Sequence, residues 1–189
     1  MPPHGGFDPE RLLAAEAARR QHLPPESLLP DFLYRRDETL IDYGCGAGFF
    51  TIPAARYLTG GRVWALDRDP RMVAATTERA RREGLPNVAG LVADGDVPAL
   101  PPADAVLMAN VFHDLDDPDA VLRRLHPLLQ PHGRLYLVEW LPVPTEMGPP
   151  LAIRIGPEAL AARLEAAGFE VRRLFRDPYP FYRVLAGPV

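Results

Sequence analysis

Asp42-Tyr43-Gly44-Cys45-Gly46-Ala47-Gly48-Phe49-Phe50 is the stretch on which the fold turns. It follows a short apolar run, residues 39–43, and opens a segment, 49–58, that reads as a helix. Glycine at three alternate positions permits backbone angles that other residues resist and lets a ligand approach the main chain closely. Exposed amides where the helix begins can meet a carboxylate. The spacing is G-x-G-x-G. The dinucleotide fingerprint, G-x-G-x-x-G, sets its third glycine one residue later, where this chain has Phe49, and that weakens a pyrophosphate-binding reading.

Outward from the turn, strand and helix alternate. Strands are expected at 39–43, 62–66, 87–92, 103–108, 134–140, 169–175 and 182–185. Helices are expected at 49–58, 70–83, 119–129 and 158–167, with Gly84 and Gly168 as stops and Pro131-His132-Gly133 as a turn. The alternation argues for a doubly wound, Rossmann-like α/β fold with a mostly parallel sheet and helices on both faces. The last two strands are separated only by a short turn around Asp177-Pro178. A parallel crossover needs a dozen or more residues, so this pair is expected to be an antiparallel hairpin and the seventh strand to run reversed. Ahead of the core, residues 1–36 read as helical. Asp8 is placed to cap a helix with Pro9 at its first position, Pro24-Pro25 breaks it, and a second short helix spans about 26–34. The expected division is residues 1–36 as a helical lid and 37–189 as the ligand-binding domain.

Two acids agree with the turn. Asp67 ends the second strand, where a carboxylate can accept hydrogen bonds from both hydroxyls of a ribose and would repel a 2′-phosphate. Asp94 follows the third strand, where it can accept from an adenine amino group; Asp96, two residues on, is an alternative. Together they describe an adenosine site along the carboxyl ends of adjacent strands. His113, just past the fourth strand, is placed to act as a general base on an acidic hydroxyl or carbon, or to shape the pocket. Glu139, at the end of the fifth strand, is a further pocket candidate. Asp116 or Asp117, ahead of Pro118, is placed to cap the next helix. Arg79, Arg81 and Arg82, with Arg172, Arg173 and Arg176, read as solvated surface.

With these residues in place, the segment Asp42 to Gly48 resembles the first motif of class I S-adenosylmethionine (SAM)-dependent methyltransferases. The resemblance extends from about Thr39 to the end of the chain. Within that superfamily the chain is similar to small-molecule enzymes of the ubiquinone/menaquinone type, since Asn110-Val111-Phe112-His113-Asp114-Leu115 resembles their segment after the fourth strand. The resemblance implies SAM as cofactor and S-adenosylhomocysteine as product. It implies that Gly44, Gly46 and Gly48 surround the amino-acid part of SAM, with Asp42 orienting its ammonium directly or through water. It further implies that Asp67 binds the ribose, that Arg68 and Met72 lie at the adenine edge, that Asp94 and Gly95 hold the adenine amine, and that Asn110 borders the sulfonium. Tyr43 stands where a small apolar residue is usual.

Methyl transfer needs no metal and no covalent nucleophile, and a single cysteine, Cys45, excludes an intrachain disulfide and a cysteine-based metal cluster. It also argues against arsenite methylation, which uses several cysteines. Relatives that methylate amide or adenine nitrogen carry an Asn/Asp-Pro-Pro-aromatic segment where this chain has Asn110-Val111-Phe112-His113, so those acceptors are disfavoured. A small-molecule acceptor through oxygen, carbon or another nitrogen is expected. The net charge of −4, with arginine as the sole basic residue besides histidine and no basic run, argues against tight nucleic-acid binding. No apolar run is long enough to cross a bilayer and the first residues do not form a signal peptide, so a cytoplasmic location is expected. Oligomeric state is left open. Two rival functions remain compatible with the sequence. One is a non-catalytic SAM-binding or regulatory module. The other is an NAD-dependent oxidoreductase, which a lysine-free chain argues against because a Tyr-x-x-x-Lys relay is impossible.

Overall fold

The computed structural model describes residues 8–94, 97 and 99–189. Among them, seven strands form one sheet: β1 (Thr39–Tyr43), β2 (Arg62–Asp67), β3 (Val88–Val92), β4 (Ala103–Ala109), β5 (Leu129–Trp140), β6 (Phe169–Phe175) and β7 (Phe181–Pro188). The order is β3-β2-β1-β4-β5-β7-β6. The first five strands pair in parallel, and β7 lies antiparallel to both β5 and β6. Strands covered on both faces are near-continuous apolar runs, which is how β1, β4 and β7 read.

Alternation along the strands builds two cores, one on each face. Ile41, Val106, Leu135 and Leu137 join Leu122, Leu125, Leu160 and Leu164 on one side. Leu40, Leu107, Tyr136 and Val138 join Phe32, Leu33, Ala54 and Leu58 on the other. The helices are α1 (Pro9–Ala14), α2 (Glu16–His22), α3 (Pro25–Leu28), α4 (Thr51–Tyr57), α5 (Pro70–Arg82), α6 (Pro118–Leu125) and α7 (Pro157–Ala166). Five of them begin on proline, where a missing N–H costs nothing. Asp8, Asp69 and Asp117 each accept a backbone N–H as the cap of α1, α5 and α6.

Three local expectations need correction. The first N-terminal helix is two helices, broken at Ala15. The helix expected over 119–129 ends at Leu125 and closes with a 3₁₀ turn, His126–Leu128. Pro131-His132-Gly133 is a bulge inside β5 and not a turn before it: Leu129 pairs with Ala103 and Arg134 with Ala105, so β5 carries extra residues between the two. Pro131 has no N–H to give to a ladder, and a Cβ on Gly133 would lie 2.8 Å from the Gln130 carbonyl, so the excess is pushed out of the sheet there.

Candidate functional site

β1 lies between β2 and β4, where the strand order reverses. Ligands of such sheets bind in the crevice that the reversal leaves beyond the carboxyl ends of the strands. A cavity of about 940 Å³ opens there. It is lined by Asp42, Gly44, Gly46, Asp67, Arg68, Met72, Asp94, Asn110 and His113. Gly48 is not among its lining. A Cβ there would meet Ile52 and Thr76 at 3.2 Å, so this glycine serves the packing of the turn on α4 and α5. Gly95 and Asp96 lie outside the described residues.

The turn is tied to the neighbouring strands by its own amides. The N–H groups of Gly44 and Cys45 donate to the Leu66 carbonyl at 2.7 and 2.8 Å. Gly44 has φ +79°, and a Cβ on it would lie 2.3 Å from Val111 Cγ2, so the chain leaving β4 packs directly on its backbone. Gly46 donates to Asp67 Oδ2 at 2.9 Å and its carbonyl accepts from the Thr76 hydroxyl at 2.7 Å. Asp67 Oδ1 accepts from the Asp69 N–H at 3.0 Å. Both oxygens of Asp67 are thus aimed, each with a lone pair remaining. Asp42 is buried and accepts from the Thr51 hydroxyl at 2.6 Å. Burial raises its carboxyl to about 7, opposed by the Thr51 bond and assisted by the charge of Asp67. Cys45 is buried with its thiol pushed well up by that burial, an inert packing residue.

Past β4, Asn110 takes φ +59°, a left-handed angle that asparagine tolerates, and its N–H donates to Val138 O. The 3₁₀ turn Phe112–Asp114 follows. Glu139, 1% exposed on β5, receives the Val111 and Phe112 amides on Oε1 at 3.2 and 2.8 Å. Its Oε2 lies 2.7 Å from His113 Nδ1. A carboxylate only accepts, so Nδ1 carries the proton; Nε2, 3.5 Å from Asp114 Oδ2, presents a lone pair once the ring is neutral. Burial pulls the His113 pKa down, but the Glu139 bond and charge, with Asp114, outweigh it and hold the imidazole above its ordinary value.

The far wall is apolar and comes from distant parts of the chain. Trp140 and Phe181, paired across β5 and β7 with ring centroids 4.3 Å apart, line it with Phe49, Phe50, Met147 and Ile153. Arg154 ties the loop before it together, donating to the carbonyls of Leu141, Val143, Met147 and Pro149. Leu12, Leu13, Glu16, Arg19 and His22 of α1 and α2 form the roof. Arg79, read from sequence as surface, crosses to Glu16 at 2.6 Å and ties α5 to that roof, whereas Arg81 and Arg82 pair with Glu78. Thr51, Thr76, Trp140, Phe181 and Arg154 carry no sequence signal for these places, since strand register and loop path alone bring them in.

A doubly wound sheet with a glycine turn after β1, an acid at the end of β2, a cavity at its switch point and an antiparallel β7 set between β5 and β6 is the arrangement of the class I SAM-dependent methyltransferases. The methyltransferase domain family matches residues 41–135, about half of the chain, and the chain belongs to that family. A SAM-dependent methyltransferase from Aquifex aeolicus superposes with a TM-score of 0.90 at 28% identity, over 97% of this chain and 100% of that one. The acetylserotonin O-methyltransferase of Rattus norvegicus is 31% identical over 166 residues, 86% of this chain. The ribosomal protein L11 methyltransferase of Aeromonas hydrophila is 36% identical over 97 residues, 51% of this chain. The chain spans 38% of the length of the first of these two relatives and 30% of the second. Among the described residues no helix is long and apolar enough to cross a membrane.

Proposed function

We propose that this protein transfers the methyl group of SAM to a hydroxyl oxygen of a small apolar acceptor, with His113 as general base and Glu139 as the residue that positions it. The observation that carries the reading is the 2.7 Å contact between His113 and Glu139 at a cavity also lined by the glycine turn.

The donor set suits SAM. Asn110 Oδ1 is buried with no partner among the described residues. Asp67 has lone pairs to spare, and the open side of Gly46 is bounded only by Leu12 Cδ1 at 3.5 Å from a Cβ position. In this reading Asp67 takes the ribose hydroxyls, Asp42 the ammonium, Asp94 the adenine amine and Met72 the ring, with Arg68 at its edge and Asn110 by the sulfonium. Bound SAM supplies an electrophilic methyl on positive sulfur. The chain's own part is alignment and proton removal. Glu139 holds Nδ1–H, which leaves Nε2 to take the hydroxyl proton. A base held above the ordinary histidine value suits a weakly acidic hydroxyl such as a phenol. Trp140, Phe181 and Phe50 supply apolar lining for the acceptor. The roof of α1 and α2 acts as a lid that excludes water, and a cytoplasmic location fits the absence of any spanning helix among the described residues.

The test is methyl transfer from labelled SAM to a panel of phenols. His113→Gln is expected to lower kcat about 100-fold or more, within the usual range for a general base, while S-adenosylhomocysteine affinity stays within about twofold. Full turnover in His113→Gln would discard the base. A protein acceptor is the second reading, favoured by the stretch shared with the L11 methyltransferase; labelling of ribosomal protein L11 in preference to the phenols would replace the first.

A further inference from the structure

The roof carries a cation with an unusual position. Arg19 lines the cavity, with its guanidinium 4.2 Å from the centroid of the Phe49 ring, the first residue past the glycine turn. Its neighbours have taken the available carboxylates. Glu16 is claimed by Arg79 at 2.6 Å and Arg20 at 3.0 Å, and Arg20 also holds Glu26 at 2.7 Å. Among the described residues no hydrogen bond or ion pair satisfies the Arg19 guanidinium. A guanidinium presents five N–H donors in a planar fork shaped for a carboxylate, and stacking on an aromatic ring leaves the fork edge open. Burial depresses the pKa of Arg19, and the charge of Glu16 is the opposing influence. The lining also holds Arg11, Arg68 and Arg124 among the acids Asp42, Asp67, Asp69, Asp94, Asp114, Asp116 and Asp117, but Arg19 is the cation stacked on Phe49 beside the glycine turn, so an anion placed there meets its counter-charge on the roof.

We propose that Arg19 is the carboxylate-binding residue of this cavity, a fork held on Phe49 that receives an anionic carboxylate placed beside the glycine turn. The inference rests on the reading of the cavity as a SAM and acceptor site. Two molecules bring that chemistry there: the methionyl end of the cofactor and an acceptor that carries a carboxylate. In either case the bond joins α2 to the contents of the cavity, so filling the site and seating the roof are coupled. Arg20 cannot substitute, since two glutamates already occupy it.

The test uses the full chain and Arg19→Met, which keeps a flexible apolar stem on Phe49 and removes the charge. Calorimetric titrations with S-adenosylhomocysteine and with 5′-methylthioadenosine, which lacks the amino-acid carboxylate, are run in parallel. Benzoate is then titrated into protein saturated with S-adenosylhomocysteine. If the cofactor is the source, Arg19→Met weakens S-adenosylhomocysteine by about 10- to 100-fold, the usual worth of a charged hydrogen bond, and leaves methylthioadenosine unchanged. If the acceptor is the source, both nucleosides are unchanged and benzoate binding is lost. Arg19→Lys, which keeps charge without the fork, is expected to recover part of the loss. Unchanged binding of all three probes overturns the proposal, and so does an equal loss of both nucleosides, which would mark general damage to the site. Wild-type protein that binds neither nucleoside would instead refute the SAM reading beneath it, whatever Arg19 does.

Discussion

A carboxylate meant for a ribose has first to be aimed, and Asp67 is aimed by the same turn that shapes the cavity. Gly46 N–H holds Oδ2 and Asp69 N–H holds Oδ1. Asp67→Ala removes the acceptor of a turn amide together with the charged partner of two hydroxyls. S-adenosylhomocysteine affinity should drop about 100-fold or more, since hydrogen bonds to charged groups contribute about 1.5–3 kcal/mol each; an unchanged dissociation constant in calorimetry would end the ribose assignment. Asp42 sets a pH dependence. Its folded pKa of about 7 lies above the ordinary 3.8. The folded state therefore holds the proton more tightly than the unfolded chain, and this stability is complete below about pH 4 and lost as pH rises through about 7. The Tm should fall across that window, and less steeply in Asp42→Asn. A ligand ammonium at Asp42 favours the ionised form, so S-adenosylhomocysteine should bind more tightly at about pH 8 than at about pH 5.5, with methylthioadenosine flat. Equal pH dependence of the two ligands would separate Asp42 from the ammonium. The His113 imidazole, held above its ordinary value, gives an acid limb in kcat above about pH 6.5. Glu139→Gln removes the main groups that raise it and should shift that limb downward, which a merely structural glutamate would not do.

At the scale of elements, the turn after β1 and the chain leaving β4 form one joint. Gly44 combines φ +79° with Val111 pressed on its Cα. Gly44→Ala adds a left-handed side chain and an overlap, and should lower stability by about 2–5 kcal/mol from the two effects together, read as the urea midpoint. A midpoint within error of wild type would show that the joint is loose. That joint also shows what sequence discloses. Strands covered on both faces must be apolar runs, so β1, β2 and β4 stood out, as did the glycine turn and the cap Asp8, whereas the cap of α6 stayed open between Asp116 and Asp117 until the Asp117 carboxylate was seen to accept the Ala120 N–H. The bulge at 130–133 did not, because a proline and a glycine mark a turn and a bulge alike. Nor did the partners of site residues. Asp42 finds Thr51 across the turn, and His113 finds Glu139 because Ala109 and Val138 are in register between β4 and β5. Register is a property of the sheet, and no local spacing encodes it.

Across the whole molecule, the segment before β1 does two different things. Residues 8–22 lie over the cavity without a buried residue in α1 or α2, and their ties to the body include Glu16 to Arg79. Residues 23–33 belong to the core: Leu23, Leu28, Leu29, Phe32 and Leu33 are buried, Phe32 stacks on Tyr136 at 4.5 Å, and Asp31 accepts from Tyr136 and Arg183. The proposed lid is therefore residues 8–22, and the boundary between lid and body falls at Leu23 in preference to residue 36. Each of those five side chains contributes about 1.5–3 kcal/mol by burial, and together they match the whole stability of an ordinary domain, about 5–15 kcal/mol. Removing residues 1–22 should leave a folded protein with a Tm within about 5 °C of the full chain and weakened cofactor binding. Removing residues 1–33 should leave no cooperative transition at all. Circular dichroism melts of the two truncations, with and without S-adenosylhomocysteine, decide the matter. Undiminished ligand stabilisation in the shorter truncation would mean that α1 and α2 are bystanders, and a cooperative melt in the longer one would mean that residues 23–33 are dispensable to the core they line.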